Sequence, residues 1–190
     1  MVWLLIWEGN GIMDTRMLLA AAGLQGNLVS SDLGANKIYV HKGITSTILS
    51  SFASPAPTPE GLTFDGVNLI SSDSDATGDK IYIHDGVSSS VTSSFATVGT
   101  QTQGLTFDGT NLISSDSGTE KIYIHSGVTA SISSSFTAPS TDVRDLAFDG
   151  ANLISSDSNT NKIYIHTGVT STITDSFAAP ATNTEGLTIA

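Results

Sequence analysis

Apolar residues along this chain alternate with polar ones in steps of two or come in short pairs, and they do not recur at the three-and-four spacing of a helix. In Gly61-Leu-Thr-Phe64, Leu62 and Phe64 share one face of an extended segment that ends at the turn pair Asp65-Gly66. Asn68-Leu-Ile-Ser-Ser72 follows, closed by the polar run 73–79. Lys80-Ile-Tyr-Ile-His84 puts Ile81 and Ile83 on one face and Tyr82 and His84 on the other, then turns at Asp85-Gly86. A fourth segment, 89–95, carries Val91 and Phe95 in phase. The pattern predicts four strands and no helix in this unit.

The unit repeats. Tyr39, Tyr82, Tyr123 and Tyr164 sit in the same phrase, Lys-Ile-Tyr-(Ile/Val)-His, at separations of 43, 41 and 41 residues. Phe52, Phe95, Phe136 and Phe177 keep the same separations, so two independent markers share one period. Four strands in each period of this size predict an all-β fold built of β-propeller blades, about four four-stranded antiparallel repeats. A strand with Ile on one face and Tyr on the other suits a sheet held between neighbouring blades. A parallel β-helix would use shorter coils and fewer Asp-Gly hairpins. The repeat domain is placed at 21–190, with units at about 21–60, 61–103, 104–144 and 145–185 and the opening of a fifth at 186–190.

The phrase Gly104-Leu-Thr-Phe-Asp-Gly-Thr-Asn-Leu-Ile-Ser-Ser-Asp-Ser-Gly-Thr-Glu-Lys-Ile-Tyr123 resembles the blades of NHL and YVTN-type propellers, a group that includes streptogramin lyase-like and gluconolactonase-like proteins. The resemblance runs over 21–190 and implies a fold, because enzymes, carbohydrate binders and structural proteins share such blades. It also implies closure with six or seven blades, against four units here. Three readings stay open: a small closed ring, an arc that oligomerises through its open blade faces, or a piece of a protein with further blades.

Residues 1–20 form a lead segment. Met1-Val-Trp-Leu-Leu-Ile-Trp7 lacks a basic flank and meets Glu8 at once, too short for a membrane span or secretory leader, so an edge strand or a non-native start is expected. Ala21 to Asn27 follows the Gly-Leu-Thr-Phe-Asp-Gly-x-Asn phrase loosely and runs straight into Leu28-Val-Ser-Ser-Asp32.

Charge narrows the partners. Acids outnumber bases 18 to 7, for a net charge of −11, and four of the bases (Lys37, Lys80, Lys121, Lys162) hold one repeat position, so no basic patch forms. Nucleic acid and anionic membranes are thereby disfavoured, and a protein, a glycan or a small polar ligand fits better. Without cysteine there is no disulfide, thiolate ligand or Cys nucleophile. The Ser/Thr-rich, Lys-poor style leans toward an extracellular or cell-surface setting.

Candidate chemistry is sparse. His41, His84, His125 and His166 hold equivalent positions, and sheets stacked about 10 Å apart keep such residues from sharing one ion. One copy per unit is what a packing role produces. Asp73-x-Asp75-x-Thr77-Gly78-Asp79 matches half of a calcium loop, but its twelfth position is His84 and no helices flank it. Asp73, Asp75 and Asp79 are therefore expected to cap a turn, with a looser calcium site as the alternative. No nucleophile-elbow, zincin or dinucleotide phrase occurs.

Positions that change from unit to unit are the ones free to serve a site. The residue before the first strand's Leu-bearing core is Glu60, Gln103, Arg144 and Glu185 in successive units. In a propeller the first strand lines the axis, so these four are expected to converge at one mouth and to bind a cation or polar ligand. The preferred reading is a non-catalytic module for binding or scaffolding, needing no cofactor. A calcium-assisted lactonase- or lyase-like enzyme using Glu60 and Glu185, and a structural segment that self-associates, are the alternatives.

Overall fold

A computed structural model of the chain describes residues 26–75, 78–182 and 184–189. Among them the chain forms fifteen strands and no helix. The first sheet contains β1 (Val29–Asp32), β2 (Lys37–His41) and β3 (Ile48–Ala53). The second contains β4 (Pro59–Phe64), β5 (Leu69–Asp73), β6 (Lys80–His84) and β7 (Val91–Ala96). The third is β8 (Thr102–Phe107), β9 (Leu112–Asp116), β10 (Lys121–His125) and β11 (Ile132–Thr137). The fourth is β12 (Val143–Phe148), β13 (Leu153–Asp157), β14 (Lys162–His166) and β15 (Ile173–Ala178).

Every sheet is an antiparallel meander in chain order. The all-β propeller of four blades expected from the repeat is the architecture observed. The first blade shows three strands among the described residues; the strand expected within 21–27 and the lead segment 1–20 lie outside them, save Gly26 and Asn27.

The second strand of each blade explains the arrangement. Leu-Ile-Ser-Ser-Asp is buried along its whole length in β5, β9 and β13, because it has a strand on either side and a neighbouring sheet over its faces. Core packing runs between blades. Leu105 and Leu112 of the third sheet join Ile70, Ile81 and Ile83 of the second, with Phe95 and Val128 at the margin. Val143, Leu146 and Leu153 of the fourth likewise meet Ile113, Ile122 and Ile124 of the third. Each third strand thus buries its Ile face against the next blade, and Leu105 and Leu146 are each only 2% exposed.

Two further features set the inner edge. The aspartate that ends each second strand locks the loop beneath it: Thr58, Gln101 and Asp142 donate backbone N–H groups to Asp73, Asp116 and Asp157 at 2.8, 2.9 and 3.0 Å. Inner strands β4, β8 and β12 pack side by side so closely that glycine is required. A Cβ on Gly61 would lie 2.8 Å from the Leu105 nitrogen and against the Gln103 carbonyl, and one on Gly104 would lie 2.8 Å from the Leu146 nitrogen.

Candidate functional site

The equivalent histidines are fully committed inside their blades. His84 Nε2 lies 2.9 Å from Ser71 Oγ and its Nδ1 2.8 Å from the Ser88 carbonyl. His125 and His166 repeat this with Ser114 and Thr129, and with Ser155 and Thr170. His41, in the first blade, uses Ser30 and Thr45. A carbonyl only accepts, so Nδ1 carries the proton and Nε2 accepts from the serine hydroxyl. This is the polarity a base needs to take a proton from a hydroxyl, but Ser71, Ser114 and Ser155 are only 1–4% exposed, so in these three blades the hydroxyl is closed to a substrate. The rings of His84, His125 and His166 also sit 5.6–5.9 Å from Phe52, Phe95 and Phe136 of the preceding blade, tilted against them. Burial depresses the affinity of these three rings for a second proton, partly countered by the carbonyl bonds.

Asp73, Asp75 and Asp79 are placed around one hairpin, with the carboxylates of Asp73 and Asp79 turned to backbone donors. Asp73 accepts from Thr58 and, at 3.2 Å, from Asp75 N–H, while Asp79 reaches into the next blade to accept from Thr102 N–H at 2.8 Å. Burial raises the Asp79 carboxyl's affinity for its proton. Among the described residues no three His, Asp or Glu side chains converge on a common point.

The residues that vary between units do come together. Glu60, Gln103, Arg144 and Glu185 line one cavity of about 370 Å³ at the inner edges of the blades, with Asp145, Leu187 and the first blade's Val29 to Ser31 around them. Arg144 organises its wall. Its Nε and Nη2 pair with Asp142 at 2.9 and 3.0 Å, Nε also reaches Ser158 Oγ at 3.1 Å, and Nη1 points to Gln103 Oε1 at 3.5 Å, from one blade to the next. The Ser158 hydroxyl donates in turn to Asp142, fixing the carboxylate that holds the guanidinium. Glu60 accepts from Ser74 Oγ at 3.2 Å. Its half-buried carboxyl holds its proton more tightly than usual, because desolvation outweighs the Ser74 bond and the attraction of Arg144.

Asp145 is the member that sequence reasoning missed. It occupies the position held by Gly61, Gly104 and Gly186 in the other units, so the signal was an acid in a glycine column. Its Oδ2 accepts the Leu187 N–H at 2.6 Å, its own N–H goes to Ser156 Oγ at 3.1 Å, and burial pushes its pKa up to about 6. Asp142 and Ser158 were also missed; Asp142 differs from its counterparts Thr58, Gln101 and Asn183, whereas Ser158 matches Ser74 and Ser117 and so gave no signal.

With this geometry in view, comparison places the chain among β-propellers. No protein-family model and no curated protein matches it by sequence. Its fold is similar to that of glutaminyl cyclase from Myxococcus xanthus (TM-score 0.68, 14% identity, 82% of this chain and 67% of that chain). It is also similar to a chain of the nidogen/laminin complex (TM-score 0.63, 22% identity, 80% and 59%) and to the computationally designed Ika8 protein (TM-score 0.56, 15% identity, 82% and 47%). The chain therefore spans between about half and two thirds of the length of these structures. At such identities the likeness shows the fold, and its bearers include an enzyme and non-enzymes.

Proposed function

We propose that this chain is a non-catalytic propeller module of the NHL and YVTN kind that binds a small polar ligand, or a polar group presented by a protein or glycan, in the axial cavity. The observation that carries the reading is the convergence of Glu60, Gln103, Arg144 and Glu185, one residue from each unit at a position where the units differ, on one cavity of about 370 Å³. A volume of that size matches a monosaccharide or a small amine. Three acidic residues, Glu60, Asp145 and Glu185, are among those that line it, while the Arg144 charge is already paired with Asp142. The cavity therefore favours a cationic or hydroxyl-rich ligand. The non-catalytic part is supported by the burial of His84, His125 and His166 together with their serine partners Ser71, Ser114 and Ser155, which keeps these pairs away from a substrate. An acidic surface without a basic patch suits a surface-exposed setting.

Calorimetric titration with a panel of neutral monosaccharides and short amines tests the reading. A ligand is expected to bind the parent and to lose at least about tenfold affinity in both Glu60→Ala and Arg144→Ala. If the panel yields only binding indifferent to both replacements, or if the protein turns over a lactone or sugar substrate, the reading is wrong.

A further inference from the structure

We propose that Asp145 makes the axial cavity selective for organic ammonium ions, which bind in exchange for the proton of its carboxyl. The inference rests on the cavity being a ligand site and adds the class of ligand it takes. Asp145 stands where the second and third units have Gly61 and Gly104, and those two seats admit no side chain. A Cβ on Gly61 would meet the backbone of Gln103 and Leu105, and one on Gly104 the backbone of Asp145 and Leu146. Beyond β12 this tightness is relaxed. A Cβ on Gly186, the next residue in the column, would have nothing within 4 Å, and the Asp145 side chain reaches from β12 to Leu187, whose N–H its Oδ2 accepts at 2.6 Å. An acid is thereby added to the cavity wall at an inner-strand position wide enough to hold it.

The charges around Asp145 leave a cation wanting. On its own strand and the loop before it, Arg144 is held by Asp142 at 2.9 Å. Asp157, on β13, accepts the N–H groups of Asp142 and Thr160. The second blade brings Glu60 on β4 and Asp73 on β5, and the segment beyond β15 brings Glu185. β8 contributes Gln103, and the first blade Val29 to Ser31, none of them charged. With the Arg144–Asp142 pair set aside, the described lining holds three acids, Glu60, Asp145 and Glu185, and no further base.

These acids are spread around the wall. Among the described residues no three acidic or imidazole side chains converge on a point, so they do not form the close cage of oxygens, at about 2.0–2.6 Å, that a bare metal ion requires. An ammonium group on a carbon skeleton suits them better, because its N–H donors reach acceptor-only carboxylates at hydrogen-bond length while the skeleton occupies the space between, in a cavity of about 370 Å³. A carboxylate drawn out of water needs a compensating charge or it takes up a proton. Desolvation has pushed the Asp145 carboxyl up to about 6 against the opposing bonds from the Leu187 and Leu146 N–H groups. Glu60 is raised by the same cause, with Ser74 and Arg144 opposing and Glu185 and Asp73 adding to it. An arriving ammonium ion takes the proton's place: one positive charge enters the cavity and one leaves to solvent.

Titration calorimetry with 1,4-diaminobutane, and with 1,4-butanediol as a neutral counterpart of similar size, tests the proposal. The diamine is expected to bind at least about tenfold more tightly than the diol at pH 7.5. Because the ionised Asp145 is the form that accepts it, its affinity should fall about fourfold from pH 7.5 to 5.5. At pH 6 about half a proton should be released per diamine bound, read from the binding heat in two buffers of different ionisation enthalpy. Asp145→Asn keeps an acceptor for the Leu187 N–H and should remove most of the proton release and of the pH response. Glu185→Gln, at an exposed position that folding does not depend on, should weaken the diamine severalfold and leave the proton release in place. No binding of the diamine, a diol that binds as tightly, or a diamine that binds without releasing protons would each overturn the proposal, as would full proton release in folded Asp145→Asn. The cavity itself would survive any of these results if a neutral monosaccharide still bound and lost affinity in Glu60→Ala and Arg144→Ala.

Discussion

Acidification from pH 7.5 to 5.5 is expected to weaken the fold through its three deeply buried histidines. His84, His125 and His166 are 0–2% exposed and held neutral, with burial as the main cause. Their folded proton affinity lies below the unfolded value near 6.5, so stability is full above that value and falls as pH drops toward the folded one. A histidine that stays neutral in the fold and titrates freely when unfolded forfeits about 1.4 kcal/mol over this interval, hence about 4 kcal/mol at most for three. Asp145 opposes them. Its carboxyl, raised to about 6, favours the fold when protonated, a contribution fully present below the unfolded value near 4 and lost as pH rises through 6. It returns about 0.8 kcal/mol by pH 5.5, leaving a net loss of at most about 3 kcal/mol. Glu60 and Asp79, also raised, act in the same direction as Asp145 at lower pH. With urea m-values of about 1–3 kcal/mol/M, the denaturation midpoint should fall by about 1–3 M while m holds steady. In His125→Gln the midpoint should fall by about two fifths less between the two pH values, whatever the variant's overall stability. A midpoint that does not move between pH 7.5 and 5.5, or a variant with the parent's full pH response, would refute the reasoning.

Asp116→Ala should cost about 2–4 kcal/mol in urea unfolding, since it orphans the N–H groups of Gln101 and Thr119, 2.9 and 2.7 Å from the buried carboxylate. Gly104→Ala should cost about 1–3 kcal/mol by driving a methyl group into the Asp145–Leu146 backbone, whereas Gly26→Ala, with open space around it, should be near neutral by the same measurement. Calcium, added or chelated, should leave the melting temperature unchanged in a thermal-shift assay, because backbone N–H groups already occupy the carboxylates of Asp73 and Asp79.

The blade was legible in the sequence because its rules are local. Alternation of Ile81 and Ile83 with Tyr82, and the Asp-Gly turns, prescribe strands and hairpins without reference to distant residues. The placing of Glu60, Gln103, Arg144 and Glu185 on one cavity was also within reach, since a fixed repeat position maps to a fixed radius from the axis. What escaped was cross-blade chemistry. Nothing in the phrase Arg144-Asp-Leu-Ala-Phe148 signals that Asp145 will fold onto Leu187 N–H, 42 positions away, or that Asp142 will clasp Arg144. Such contacts depend on how closely neighbouring inner strands approach, a distance set by the glycine column and revealed only once the sheets are assembled. The serine partner of each histidine was equally hidden, because it lies across a hairpin whose loop differs between units, 13 residues back in the second and 11 in the others.

Because the apolar core lies between sheets and hardly within any one of them, each contact surface belongs to a pair of neighbours. The natural quantum of change in such a molecule is the whole blade. Duplicating or excising 41 residues between identical landmarks would join the same two surfaces that were joined before, whereas inserting one residue inside Leu-Ile-Ser-Ser-Asp would turn every side chain of that strand to the wrong neighbour. Gene duplication is thus a gentle operation on this architecture and a single-codon slip a harsh one, which leaves neighbouring units free to keep their common frame while their inner-edge residues diverge.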